Sequence, residues 1–412
     1  MVPKRITADT TRLVGLSQIM RLAFNGDNLA NLTSELSRRI EVNSLDFAAM
    51  MDLSVVFQLS ELPELAIQLQ SEALQGHQSF ELRSNPTNPS LKVLAIMGPG
   101  QVMANTPIEF LVENSDISLS YLYLGEGLPV PRHIPDHDVA FVAVCESDRS
   151  QFLLAQLNEI MKHWRRPFIN KPSRIAQLSR DLVSQNLSSV TGIVASDARR
   201  LSRTELANRL NAGIGCFPVI VRPVNSHAGH GLSKLEDCEQ ATEYLMANDS
   251  EEFFAAPFID YRSEDGLYRK YRIAVVDGKP FAAHMAISQH WMVHYLNADM
   301  LESQRNRNSE AEFMSSFDLD FAAKHRAALQ EMDHRIGLDY YLIDCAETPD
   351  EKLLVFELDS GAVVHSMDSA ELFPYKVPQM RLVFEAFHQM LKRKTSDHGS
   401  AIAHGSARLL PS

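Results

Sequence analysis

With 412 residues the chain is too long for one ordinary core, and its 45% apolar and 22% charged content is that of a globular protein of about two to four domains. A formal net charge of −13 excludes a general nucleic-acid binder, which needs a basic surface to displace phosphate counterions, but leaves room for a local basic pocket around a small anion. No apolar run approaches the ~20 residues that span a bilayer, Met1-Val2-Pro3-Lys4-Arg5 lacks the apolar stretch of a signal peptide, and Cys145, Cys216, Cys238 and Cys345 show neither metal-ligand nor disulfide spacing. A cytoplasmic protein with reduced thiols, and no membrane or nucleic-acid partner, is expected.

Residues 8–80 read as helical throughout. Leu13, Leu16, Ile19, Met20 and Ala23 form one stripe, Leu29, Leu32, Leu36 and Ile40 a second, and Phe47, Met50, Met51, Val55 and Leu59 a third. A fourth helix, Pro63 to Leu74, has proline in its first turn. Residues 1–85 are therefore expected to form a helical domain that resembles tetratricopeptide-like hairpins without a repeat of fixed period. It could pair two copies of the chain, hold a protein partner, or pack on the main body.

Ser84-Asn85-Pro86-Thr87-Asn88-Pro89-Ser90 is turn-forming and marks a boundary. Beyond it, residues 90–172 alternate short apolar runs (Leu91–Met97, Ile117–Leu124, Val139–Val144) with a helix over Gln151 to Trp164, which predicts a parallel α/β layer. Gly98-Pro99-Gly100 follows the first strand but has neither the Walker lysine nor a GxGxxG pattern. Residues 173–213 read as mostly helical and polar. Phe217 to Val224 then reads as a buried strand carrying Arg222, a guanidinium that needs an anionic partner and suits phosphate. The loop after it contains His227, Gly229 and Gly231, and its glycines let backbone amides approach a ligand.

Glu252 to Tyr261 is extended and apolar, through Phe258 and Ile259 to Asp260. Tyr271–Val276 and Lys279–Ala286 flank Asp277-Gly278, a strong two-residue hairpin signal that sets Arg272 opposite Ala283 and Tyr271 opposite His284. Arg269 and Lys270 have the bland reading of a solvated charge run. Residues 297–316 read as a polar loop passing into a helix, Ala322 to Ile336 and Pro378 to Lys392 as helices, and the last twenty residues as frayed. Leu338–Ala346 and Leu353–Gly361 form a second hairpin around Thr348-Pro349-Asp350-Glu351-Lys352. Counting from Thr348 opposite Leu353 places Asp344 opposite Glu357, with Asp359 on the same face. Three clustered acids in an apolar hairpin repel one another unless a cation or protons compensate, and Mg²⁺ is the simplest compensation; acids pointing into water are the bland alternative.

The order of these parts resembles the ATP-grasp superfamily, which includes D-alanine:D-alanine ligase and glutathione synthetase, over about residues 90–390. Its most specific pieces are Phe217–Leu232, Tyr268–Ala286 and Leu338–Asp359, and the helical front end looks like a tetratricopeptide-associated branch. The resemblance implies an α/β and α+β fold: a pre-ATP-grasp domain at 90–172, a lid lobe at 173–255 and a C-terminal lobe with a metal site at 256–395, the two lobes clasping ATP. It implies Asp344 and Glu357 as ligands of magnesium (Mg²⁺), with Asp359 in place of the usual asparagine. It implies Arg222 and Arg180 where lysines commonly contact nucleotide, and the loop of His227, Gly229 and Gly231 over the phosphates. Phe258, Ile259 and Asp260 fall at the adenine, with Pro257 in place of a common glutamate. Arg272 and Arg222 would stabilise the transferring phosphate, and the implied reaction joins a small-molecule or peptide carboxylate to an amine through an acyl phosphate. A kinase of the same fold and a nucleotide-sensing adaptor are the alternatives. Substrate choice is expected in loops near 97–107, 287–310 and 360–370.

Overall fold

A computed structural model describes residues 8–26, 29–131, 133–212, 217–224, 226, 229–294 and 298–406. They fall into two compact units, one of the chain up to Ala176 with Ser360–Asp368 and the chain from Met380, the other of Gln177–Asp359 with Ser369–Gln379. The mixed α/β class expected from the sequence holds, with three sheets.

The first unit opens with β1 (Arg12–Leu13), α1 (Leu16–Phe24), α2 (Ala30–Val42), α3 (Phe47–Leu59) and α4 (Pro63–Gly76). The expected apolar stripes meet in one cluster of Ile19, Leu36, Ala49, Leu53 and Val56. α3 differs from a one-faced helix, because Phe47 through Ser54 are buried without a break. Its polar residues are therefore inside and need partners. Asp52 accepts from the amides of Val14 (2.8 Å) and Gly15 (3.1 Å). Glu109, on α5 (Ile108–Val112), accepts from the next two amides, Leu16 (2.9 Å) and Ser17 (2.8 Å), and from the Tyr121 hydroxyl at 2.5 Å. Two buried carboxylates thus satisfy the orphan amides at the start of α1, where the helix dipole favours negative charge.

The six-stranded sheet of this unit adds β2 (Ser79–Leu82), β3 (Leu91–Met97), β4 (Ile117–Tyr123), β5 (Val139–Val142) and β6 (Phe168–Ile169), in the order β1-β2-β4-β3-β5-β6. β4, β3, β5 and β6 run parallel, as the alternation with helices predicts, and β2 is antiparallel to β4. Ser84–Ser90 joins β2 to β3 within this sheet. β1 and β2 interrupt the stretch expected to be all helix; at two and four residues they are too short for a period to show. α6 (Gln151–Met161) and α7 (Pro172–Ile175) complete the unit up to Ala176. The amides of the Gly98-Pro99-Gly100 loop are already used: Gly98 donates to Asn105 Oδ1 (2.7 Å) and Gly100 to Gln70 Oε1 (2.7 Å).

The second unit begins with α8 (Arg180–Leu187), β7 (Ile193–Ala195), β8 (Arg199–Ser202) and α9 (Arg203–Asn211). β7 and β8 break a region expected to be mostly helical. β9 (Val219–Pro223), β10 (Ser233–Leu235), α10 (Cys238–Ala247) and β11 (Glu252–Pro257) follow, and an antiparallel sheet forms in the order β10-β9-β11-β8. Its core is Leu206 and Leu210 of α9, Ala241 and Tyr244 of α10, and Leu201, Val219, Val221, Leu235 and Phe253 of the strands. β9 is buried on one face only: Val219 and Val221 point into that core, and Ile220 and Arg222 are half-buried on the other side. The strand expected to be buried throughout is two-faced.

A five-stranded sheet completes the unit. β12 (Tyr268–Val276), β13 (Lys279–Ser288), β14 (Tyr340–Glu347) and β15 (Leu353–Asp359) join β7 in the order β13-β12-β14-β15-β7, with only β7 parallel to its neighbour. α11 (Gln304–Ser316), α12 (Phe321–Lys324) and α13 (Arg326–Ile336) lie between β13 and β14 in sequence. Asp277 (φ 51°) and Gly278 (φ 76°) make the expected tight turn, yet a bulge between Arg272 and Ile273 sets Arg272 opposite His284 instead of Ala283, and Tyr271 opposite Met285. The second hairpin turns one residue earlier than expected, with Glu347 opposite Leu353. A bulge at Phe356 then restores the expected pairing of Asp344 with Glu357. α14 (Lys376–Ser406) stays helical well into the stretch expected to fray; in the first unit its Phe387 packs on Phe141, with ring centroids 5.8 Å apart.

The buried acids at α1 make stability depend on pH. Burial pushes the Asp52 carboxyl from its ordinary 3.8 up to about 7, against the pull of its two amides. Between those values the folded chain keeps a proton that the unfolded chain has released, so this contribution is complete below 3.8 and is lost as pH rises through about 7. From about pH 5 to pH 8 the melting temperature of Asp52→Asn should fall less than that of wild type. Parallel pH profiles for the two proteins would show that Asp52 carries no such linkage.

Candidate functional site

The two bulges bring a polar row onto one face of the five-stranded sheet. Across β13, β12, β14 and β15 the opposed residues are His284, Arg272, Asp344 and Glu357. Arg272 grips Asp344 with both arms of its fork, Nε to Oδ1 at 2.8 Å and Nη2 to Oδ2 at 2.9 Å. Lys270, two residues back on the same face, brings Nζ to 2.7 Å from Asp344 Oδ2. Burial works to raise the Asp344 carboxyl, which is only 6% exposed, but Arg272 and Lys270 hold it well below the usual carboxylate range. The solvated reading of Lys270 is therefore wrong, whereas Arg269 does turn away, to Asp265 at 2.7 and 2.9 Å. Burial, and after it Arg272, holds the His284 imidazole well below its ordinary value, so the row carries a neutral ring beside its cation.

Arg180, at the start of α8, donates through Nη2 to Glu357. Arg222 lies close enough to sense both. Burial, then the neighbouring Arg180, lowers Arg222 to about 10, while Glu357 pulls the other way. Among the described residues Arg222 has no ion-pair partner; it donates from Nε to Ser226 Oγ at 3.1 Å and from Nη2 to the Ser226 carbonyl. The glycine loop is thereby tied to its strand. Tyr244 adds a hydroxyl bond to the Gly231 carbonyl at 2.7 Å. Gly231 sits at φ 66°, and a Cβ there would come within 2.7 Å of the Pro223 ring, so this turn needs glycine. Gly229 (φ 78°) also has a left-handed backbone, and His227 lies outside the described residues.

Beside the polar row the same face is apolar. Tyr268, Ala286, Ala346 and Leu354 are buried in a cluster that Ile259, Trp291 and Phe356 cover in part. Phe258 meets Trp291 edge-on at 5.9 Å and carries the Lys234 ammonium 4.0 Å over its ring, and its amide donates to the Pro218 carbonyl at 2.9 Å. An aromatic ring, a tryptophan and a cation next to two arginines suit a flat heteroaromatic base attached to phosphates. Asp260, expected in the same segment, is exposed and paired with Arg262 at 2.5–3.1 Å, which lowers its carboxyl. Lys234 and Trp291 were missed in the sequence because each is a lone residue in an unremarkable context.

Asp344, Glu357 and Asp359 share a face as expected, but the premise that they repel one another does not hold for the first two. Asp344 is turned to Arg272 and Lys270, and Glu357 to Arg180. Among the described residues no three His, Cys, Asp or Glu side chains gather at metal-holding spacing. The donor set still fits Mg²⁺, which takes hard carboxylate oxygens and needs only one or two of them when phosphates supply the rest. Of three further histidines, His294 is lowered by burial and then by Lys270 and Arg272, His290 is exposed, and His365 belongs to the first unit.

No protein-family model matches this chain, nor does any curated protein. Solved structures similar to it include the D-alanine–D-alanine ligase of Bacillus anthracis complexed with ATP, at 15% identity and a TM-score of 0.46, covering 75% of this chain and 99% of that one. Another is the RimK domain protein ATP-grasp of Sphaerobacter thermophilus, at 14% and 0.44, covering 73% and 99%. A third is the D-alanine–D-alanine ligase of Coxiella burnetii, at 13% and 0.46, covering 77% and 99%. Among the described residues no helix is long and apolar enough to cross a membrane.

The Arg272–Asp344–Lys270 group carries a definite cost of disruption. Asp344→Asn leaves two cations in a dry setting without their anion, and breaking a buried pair in this way costs about 3–5 kcal/mol. Urea unfolding at neutral pH should show a loss of that order for Asp344→Asn. Unchanged stability would mean that the side chains are hydrated and the pair is incidental.

Proposed function

We propose that the chain is an ATP-dependent ligase of the ATP-grasp type, which joins a carboxylate to an amine through an acyl phosphate. The observation that carries this reading is the Arg180–Glu357–Arg222 grouping. A half-buried guanidinium with no ion-pair partner among the described residues, pressed by a second guanidinium, suits an anion, and its position at the root of a glycine loop suits phosphate. The neighbouring apolar cluster with Phe258 and Trp291 supports a nucleotide base in the same site.

In this reading Arg222 and Arg180 hold phosphate oxygens, and the loop at Gly229 and Gly231 excludes water from the transferring group. Glu357 and Asp359, with Asp344 behind them, are the residues that would hold Mg²⁺. The ion would offset the negative charge that builds up during transfer. Arg272 is fixed by Asp344, so it stabilises charge without having to reorganise. Burial, and after it the cations Arg272 and Lys270, lowers the His284 and His294 imidazoles; the same setting disfavours an ammonium nearby, so an amine here reacts in its uncharged, nucleophilic form. No side chain needs to act as a covalent nucleophile, and catalysis rests on positioning.

The test is chemical trapping. With ATP, Mg²⁺, a panel of amino acids and small acids, and hydroxylamine in place of the amine, wild type should release phosphate and form an acyl hydroxamate. Arg222→Ala should form it at about one-tenth the rate or less at sub-saturating ATP, the loss of one charge-assisted hydrogen bond. Phosphate transfer to a hydroxyl with no hydroxamate from any acid would replace the ligase with a kinase.

A further inference from the structure

Glu357 occupies the place of an anionic ligand. Its carboxylate is held by Arg180, and the two side chains are only 31% and 21% exposed. Arg222, pushed down by burial and by Arg180, is supported electrostatically by this same carboxylate. One carboxylate of the protein itself thus pairs with Arg180 and lies within electrostatic reach of Arg222. The other acid of the row is not available in this way, because Asp344 is locked by three contacts of 2.7–2.9 Å from two cations. Among the described residues Glu357 has one cation and one contact to lose. A guanidinium fork receives carboxylate and phosphate through the same geometry, so a phosphate arriving at Arg180 competes directly with Glu357.

We infer that Arg180 is an exchange residue, holding Glu357 in the ligand-free protein and passing to a nucleotide phosphate on binding, which frees Glu357 for the metal. The inference rests on the nucleotide reading above and adds a thermodynamic sign to it. Without metal, Glu357 opposes the nucleotide, since it competes for Arg180 and is left unpaired beside phosphate. With metal, the released carboxylate becomes a ligand and the opposition turns into support. Nucleotide and Mg²⁺ then bind as a coupled pair, each raising the affinity for the other by the same factor.

Titration calorimetry of the full chain with a non-hydrolysable ATP analogue, with and without Mg²⁺, tests this without any turnover. Wild type should bind weakly without Mg²⁺ and much more tightly with it. Glu357→Gln should bind the metal-free analogue about tenfold more tightly than wild type, because Arg180 is unclaimed, and should gain little from Mg²⁺. Equal or weaker metal-free binding by a folded Glu357→Gln, with wild type binding the Mg²⁺ complex normally, overturns the exchange and leaves the nucleotide site standing. If wild type binds no analogue even with Mg²⁺, the nucleotide reading itself is wrong. Arg180→Met gives an independent arm should Glu357→Gln fail to fold. With Mn²⁺ alone as the probe, followed by electron paramagnetic resonance, it should bind metal more tightly than wild type, and unchanged metal affinity would again overturn the exchange.

Discussion

A carboxylate in the interior of a five-stranded sheet loses most of its hydration, and Asp344 stays ionised there only because Arg272 and Lys270 enclose it. That ion pair sets the character of the surrounding face. It fixes Arg272 in the ladder, places a neutral His284 on one side, and leaves Glu357 as the next acid along the row. Glu357 reaches Arg180, and Arg180 crowds Arg222, which belongs to the other sheet of the same unit. Two acids thus stand side by side in the row, Asp344 held by two cations through three contacts and the more exposed Glu357 held by Arg180, on the side of Arg222 and the glycine loop.

The first unit meets the same physical difficulty in another way. Asp52 and Glu109 are as deeply buried as Asp344 but have backbone amides for partners instead of cations. Amides stabilise a carboxylate less than a bidentate guanidinium does, so here burial wins and both carboxyls are pushed up, while Asp344 is pulled down. The same residue type therefore serves as a proton-sensitive anchor in one unit and a fixed charge in the other. Environment alone separates the two roles.

Much of this was legible in the sequence, and the reasons for the rest are local. The Asp277-Gly278 turn, the strand of Arg222 and the sharing of one face by Asp344, Glu357 and Asp359 follow from turn chemistry and alternation. The bulges at Ala283 and Phe356 do not, because an extra residue in a strand leaves the apolar pattern almost intact. One bulge moved Arg272 opposite His284, and the other cancelled an error in the turn, so the Asp344–Glu357 pairing was reached by a count that was off by one near Glu347. β1, β7 and β8 have two to four residues each, too few to carry a period. The charged residues were visible individually, but which cation meets which acid depends on separations of 72 residues for Arg272 and Asp344 and 177 for Arg180 and Glu357. Hence two of the three acids expected to repel one another, Asp344 and Glu357, stand in ion pairs.

We propose that the polar row and the arginine pair receive nucleotide phosphate. A crystal structure of the full chain with Mg²⁺ and a non-hydrolysable ATP analogue tests it most directly. Phosphate oxygens should lie on Arg222 and Arg180, with the base against Phe258 and Trp291, Glu357 turned from Arg180 toward the metal, and Asp344 still gripped by Arg272. Nucleotide bound elsewhere, or bound with the Arg180–Glu357 pair intact, would contradict it.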